Sequence, residues 1–164
     1  MAAGATYEPL ATTTLGSNTN TVTFSSIAST YTDLVLVMSV KNTSGSFYDN
    51  LLRYNNDSGS NYSWTRLLGN GSTASSARGS SQTSIQAGWG GANPTTTIVS
   101  IQNYSNATTN KTCLVRSNDA DANTAAYAGL WRSTAAINRI DVIAFSGTDF
   151  ITGSTFTLYG IAAA

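Results

Sequence analysis

Residues Tyr31 to Lys41 read Y-T-D-L-V-L-V-M-S-V-K, the longest apolar run in the chain. In an extended conformation Leu34, Leu36, Met38 and Val40 leave one side and Val35 and Val37 the other, so apolar groups stand on both faces of a period-2 strand. That pattern predicts a covered strand. The run is too short and too rich in β-branched residues for a helix, and Asn42-Thr43-Ser44-Gly45 ends it in a turn. Ser154 to Ala162, S-T-F-T-L-Y-G-I-A, matches it: Phe156 and Leu158 alternate with Thr155, Thr157 and Tyr159. The two segments are expected to be central partners in one sheet.

Outward from these strands the chain repeats the same alternation. Tyr7 to Leu15 reads as an opening strand that Pro9 pushes to an edge or into an arm, because proline removes a ladder donor. Thr21 to Phe24, Leu51 to Tyr54, Tyr62 to Leu68, Ile85 to Trp89, Thr95 to Tyr104, Asn110 to Ser117, Tyr127 to Arg132 and Ile137 to Phe145 follow, separated by turns rich in Gly, Asn and Ser. Gly91-Ala92-Asn93-Pro94 reads as a hairpin connection, and Ser133 to Ala136 as a helical turn. Residues 69–84 carry almost no apolar anchor and read as a long exposed polar loop. Eight to eleven short strands without a helical period predict a single all-β domain, an antiparallel β-sandwich of jelly-roll form, spanning residues 1–164.

Composition narrows the function. Eight basic and eight acidic side chains cancel, and only 10% of residues are charged, so no broad field attracts nucleic acid or anionic lipid. Neither a nucleic-acid nor a membrane partner is expected, since no segment reaches the length of a membrane span and the N-terminus lacks the pattern of an export signal. Cys113 stands alone and reads as a packed side chain in a strand. The Asn-x-Ser/Thr triplets at Asn42, Asn61, Asn70 and Asn106 are what so Asn- and Ser-rich a chain produces by chance.

Residue chemistry mostly excludes catalysis. With no histidine there is no Ser-His-Asp or Cys-His arrangement and no imidazole metal site. The carboxylates are scattered, and Asp49 with Asp57 is the one loop pair a glycosidase reading would inspect; each sits in a turn context where it caps local backbone donors. Asn118 to Asn123 offers alternate oxygen ligands but lacks the glycine and the distant glutamate of a calcium loop. G-N-G-S and G-W-G-G lack the lysine and helix of a phosphate loop. No catalytic residue, metal or cofactor is expected, and the chain reads as a non-enzyme.

One band remains: Tyr62, Trp64 and Arg66, near Arg53 and Tyr54, in Y-N-N-D-S-G-S-N-Y-S-W-T-R. Aromatic faces rimmed by amides and arginines suit a protein partner or a sugar ring, and alternation on one strand face equally suits plain core filling. All three readings stay open.

Y-T-D-L-V-L-V, S-N-Y-S-W-T-R-L-L-G-N-G-S-T-A-S-S-A-R-G-S-S-Q-T-S-I, G-L-W-R-S-T-A-A-I and the ending G-S-T-F-T-L-Y-G-I together resemble small β-sandwich virion proteins of tailed bacteriophages, notably those infecting cyanobacteria. The resemblance covers nearly the whole chain. It implies a virion structural protein, either a capsid decoration (cement) protein that binds the major capsid protein and stabilises the head, or a tail-fibre module that binds a host glycan. It also implies self-association, with a homotrimer expected because decoration proteins commonly occupy threefold positions. The capsid surface is favoured over the tail: a fibre protein brings a shaft or coiled coil, and here one sandwich consumes the residues. Residues 1–10 are the expected arm, with Tyr7, Pro9 and Leu10 as partner contacts beside Tyr62, Trp64 and Arg66.

Overall fold

The computed structural model describes residues 6–44, 46–119, 123–145 and 147–162. Twelve strands form two antiparallel sheets. The large sheet runs, edge to edge, through β1 (Tyr7–Thr14), β12 (Thr155–Ile161), β3 (Asp33–Val40), β8 (Thr95–Gln102), β9 (Lys111–Asp119), β10 (Thr124–Trp131), β5 (Tyr62–Gly69) and β6 (Ala74–Gln82). The small sheet is β2 (Thr21–Phe24), β11 (Ile140–Ala144), β4 (Tyr48–Tyr54) and β7 (Ile85–Gly90).

The winding is that of a jelly roll. Its eight strands are the small sheet, β2-β11-β4-β7, and the set β3, β8, β5 and β6 facing it. The hairpin β9-β10 is inserted between β8 and β5, and β1 with β12 extends the sheet beyond β3. The two segments read as central partners pair directly, with Leu36 opposite Leu158 and Met38 opposite Phe156. Leu34, Leu36, Met38 and Val40 are buried at 0–1% exposure, and each such side chain contributes about 2 kcal/mol by leaving water. Val99 and Ile101 on the neighbouring β8, and Leu52, Ile140 and Val142 on the facing small sheet, complete the core.

The two layers come closest at β7. Gly88 there has φ +82°, and a Cβ on it would lie 2.5 Å from both Thr97 Oγ1 and Ser117 Oγ of the opposite sheet. Thr97 and Ser117 share a hydrogen bond of 2.8 Å, so a polar pair rather than an apolar one meets the bare backbone. Glycine satisfies both demands at once, the left-handed backbone and the absent side chain.

Four expectations need correction. Residues 74–82 are not a loop but the edge strand β6, paired with β5 through Leu67–Ser76 and Thr65–Arg78. This segment has no hydrophobic alternation because neither of its faces is sealed; backbone pairing alone defines it, with Trp64 laid across Gly79. Residues 7–10 are not a free arm, since Tyr7–Thr14 pairs along β12 with a bulge between Pro9 and Ala11. Thr6 is tied to the same strand pair, accepting a hydrogen bond from the Ala162 N–H, and residues 1–5 of the expected arm lie outside the described residues. The segment from Gly91 to Pro94 is no hairpin within a sheet, because it carries the chain from β7 in one layer to β8 in the other. Ser133 to Ala136 forms no helical turn.

Candidate functional site

The band at Tyr62, Trp64 and Arg66 turns inward. Tyr62 is fully buried, stacks on Trp131 with ring centroids 6.2 Å apart, accepts a hydrogen bond from the Tyr54 N–H and donates to the Asp57 carbonyl. Of the three readings, core filling holds for it. Trp64 is half-buried against the core. Arg66 pairs with Asp49 across the sandwich at 3.7 Å, and its guanidinium lies 5.7 Å from the centroid of the Trp89 ring. Gln86 donates to the other Asp49 oxygen at 2.7 Å. Burial lifts the Asp49 carboxyl above its usual range, and Arg66 only partly offsets this.

Asp57 belongs to a different set of partners. Burial alone would raise its pKa, but the Trp131 indole at 2.7 Å, Asn61 and the Gly59 N–H all donate to its carboxylate, and the net direction is down. It ties the loop after β4 to the end of β10. Thus Asp49 and Asp57 are held by separate networks, and the turn-capping reading holds for Asp57. Among the described residues no three His, Cys, Asp or Glu side chains converge. The calcium reading falls partly outside the described residues at 120–122; of the rest, Asp119 accepts hydrogen bonds from the Asn123 N–H and side chain. Cys113 is buried, which pushes its thiol up to about 11.

What the chain leaves open is the outer face of its large sheet. Strand register places Leu67, Ala126, Arg116, Ile98 and Val37 side by side across β5, β10, β9, β8 and β3. The next row is Thr65, Ala128, Leu114, Ser100, Val35 and Tyr159, ending at Pro9 on β1. No further layer of described residues lies on these rows: Leu67 is 62% and Leu114 58% exposed, and Val35 and Val37 are only half-buried. The expectation that β3 is covered on both sides therefore holds on one side within the chain.

The face divides in two. The half made by β8, β3, β12 and β1 is uncharged along these rows, with Val35, Val37, Ile98 and Tyr159 interspersed with the hydroxyls of Ser100, Thr157 and Thr12, and Tyr7 set edge-on to Tyr159 at 6.0 Å. Tyr7 is 57% exposed, so the sequence-derived contacts Tyr7 and Pro9 belong to this half. Leu10, at the bulge, packs on the core instead. The other half, from β9 to β6, is hollowed. A trough of about 900 Å³ is lined by Ser76, Leu67, Ala126, Thr124, Asn118 and Arg116 among others, and a second hollow of about 550 Å³ by Arg78, Thr65, Ala128 and Leu114. Sequence reasoning missed this face because its members are scattered over residues 63–130 and meet only through strand register.

No family model matches the sequence. No curated protein matches it either. Among solved structures the chain is similar to exo-inulinase from Aspergillus awamori, at 10% identity and a TM-score of 0.44. The match covers 94% of this chain and 29% of that one, so the chain spans less than a third of the enzyme's length.

Proposed function

We propose that this protein is a non-enzymatic virion structural protein, a capsid decoration protein that seats on the phage head, contacts the major capsid protein and copies of itself, and stabilises the particle. The virion part of this reading rests on the sequence resemblance. One structural observation supports the adhesive role: the uncovered half-face of Val35, Val37, Ile98, Tyr159 and Tyr7, which carries no charge along its two central rows. An uncharged sheet face on which valine, isoleucine and tyrosine side chains alternate with hydroxyls is the kind of surface that a partner buries. Four strands at about 4.8 Å spacing and seven residues at about 3.3 Å rise give this half-face roughly 450 Å², about half of the ~800 Å² that each partner contributes to a standard interface, so the contact is of the small kind that repetition over many copies on a particle reinforces.

The test is reconstitution. Heads lacking the chain are mixed with purified protein, and occupancy and survival of heating are measured. The expected result is saturable occupancy with improved heat resistance, both reduced at least tenfold in affinity for the Val35→Thr, Val37→Thr double variant, which keeps the β-branched shape. Antibody labelling confined to the tail would overturn the capsid assignment, and undiminished occupancy of the double variant would remove this half-face from the contact.

A further inference from the structure

The hollowed half of the outer face has features that the proposed particle contact does not use. Arg116 and Arg78 are both exposed, and neither forms an ion pair among the described residues. They stand three strands apart, about 15 Å at ordinary strand spacing, and no acidic side chain shares their two rows. Between them the floor is small and apolar, Ala126 and Ala128, with Leu67 and Leu114 standing exposed beside it, and Ser76, Thr124, Asn118 and Thr65 offer uncharged hydrogen-bonding groups around it.

An occupant that engages all of these groups is anionic and elongated, with hydrogen-bonding groups for the hydroxyls and amide and an apolar side for Leu67 and Leu114. A second copy of this chain stacked face to face on these rows by a twofold would bring four arginines into one interface with no acidic side chain in the rows to pair with them, which like-charge repulsion disfavours. An acidic peptide strand gains affinity by adding to a sheet edge, but here the floor is a sheet face whose backbone groups are already spent in the ladders of β5, β10 and β9. A neutral sugar is held chiefly by aromatic stacking, and the ring that reaches these hollows, Trp64, is half-buried against the core and laid across Gly79 instead of standing out from the two central rows. Guanidinium forks paired with hydroxyl and amide side chains instead match the carboxylate or sulfate groups and the hydroxyls of an acidic sugar.

We infer that the trough and the second hollow, side by side across β9, β10, β5 and β6, together bind an acidic oligosaccharide, with Arg116 in the first and Arg78 in the second engaging successive anionic groups and Ala126 and Ala128 admitting the sugar backbone. This goes beyond the particle reading and holds whether the chain sits on a head or a tail.

Binding of the purified full chain to four probes decides it: oligogalacturonate for carboxylates, dextran sulfate for sulfates, neutral dextran, and poly-L-glutamate. At least one acidic polysaccharide is expected to bind saturably, more weakly as salt rises, while neutral dextran does not bind. Arg116→Gln should weaken binding at least tenfold and the Arg78→Gln, Arg116→Gln double variant abolish it, with unchanged thermal melting because both side chains are exposed. Arg132→Gln, outside these rows, should leave binding unchanged. The inference is overturned if neither acidic polysaccharide binds, if Arg116→Gln binds as the wild type does, or if poly-L-glutamate binds equally well. Loss of head occupancy in the reconstitution experiment leaves this result untouched, so the two readings fail separately.

Discussion

Arg66 crosses from the large sheet to Asp49 of the small one, 3.7 Å away, with its guanidinium against the Trp89 ring. Both side chains are about four-fifths buried. Removing one partner of such a pair leaves a desolvated charge behind, which costs more than the intact pair contributes. Arg66→Met should therefore destabilise the fold by roughly 2 kcal/mol at neutral pH, a figure reduced for residual solvent screening. Asp49 is already raised by burial, so in the folded state it holds its proton to higher pH than in the unfolded chain, and stability is lost as pH rises through the folded value. Without Arg66 that loss grows at pH 7 and shrinks towards pH 4. Urea unfolding at both values checks this; an equal cost at both would contradict it.

Asp57 has the opposite sign. Its carboxylate is held below the usual range by donation from Trp131, Asn61 and Gly59, against the upward effect of burial. Its contribution is present above the unfolded value and fades as pH falls through the folded one. Asp57→Asn should cost about 1 kcal/mol at pH 7, as expected for a lost charge-assisted hydrogen bond. The difference from wild type should narrow under acid, whereas a gap that widens there would refute the assignment.

Gly88→Ala faces two penalties, φ +82° and atoms of Thr97 and Ser117 where the methyl would sit. We expect a loss on the order of 3 kcal/mol from overpacking and backbone strain together. Adding Ser117→Ala should recover only part of it, because the backbone penalty remains. Full recovery in the double variant, read from thermal melts, would assign the whole effect to packing.

Cys113, with its thiol pushed up to about 11 by burial, is protonated and enclosed at pH 8. Iodoacetamide should leave the native protein unmodified and alkylate it fully in denaturant. Rapid native labelling would contradict the burial.

The strands that sequence patterning locates are those whose alternation seals a core. Leu34, Leu36 and Met38 with Phe156 and Leu158 placed β3 and β12 in one sheet, and there they pair. Pro9 marked β1 as an edge, which it is. Patterning does not find β6, whose A-S-S-A-R-G-S-S-Q has no apolar periodicity and depends on β5 for its conformation. It also leaves the direction of Tyr62 and Trp64 open, since alternation defines two faces without saying which one the second sheet covers. The outward valines, Val35 and Val37, made β3 read as covered on both faces, and within the chain they stay half-buried on an open face. Their neighbours Ala126, Arg116, Leu114 and Tyr159 come from distant parts of the chain and become neighbours only through pairing.

The central claim, that the half of the large sheet's outer face made by β8, β3, β12 and β1 is where this protein meets its particle, is tested most directly by hydroxyl-radical footprinting of the free protein and of the protein on intact heads. Tyr7, Tyr159, Val35 and Val37 should be modified in the free chain and protected on the particle, while Phe47 and Phe145, 43% and 44% exposed at the end of the small sheet, keep their reactivity. Protection of Phe47 and Phe145 with the large-sheet residues still fully reactive would contradict the account.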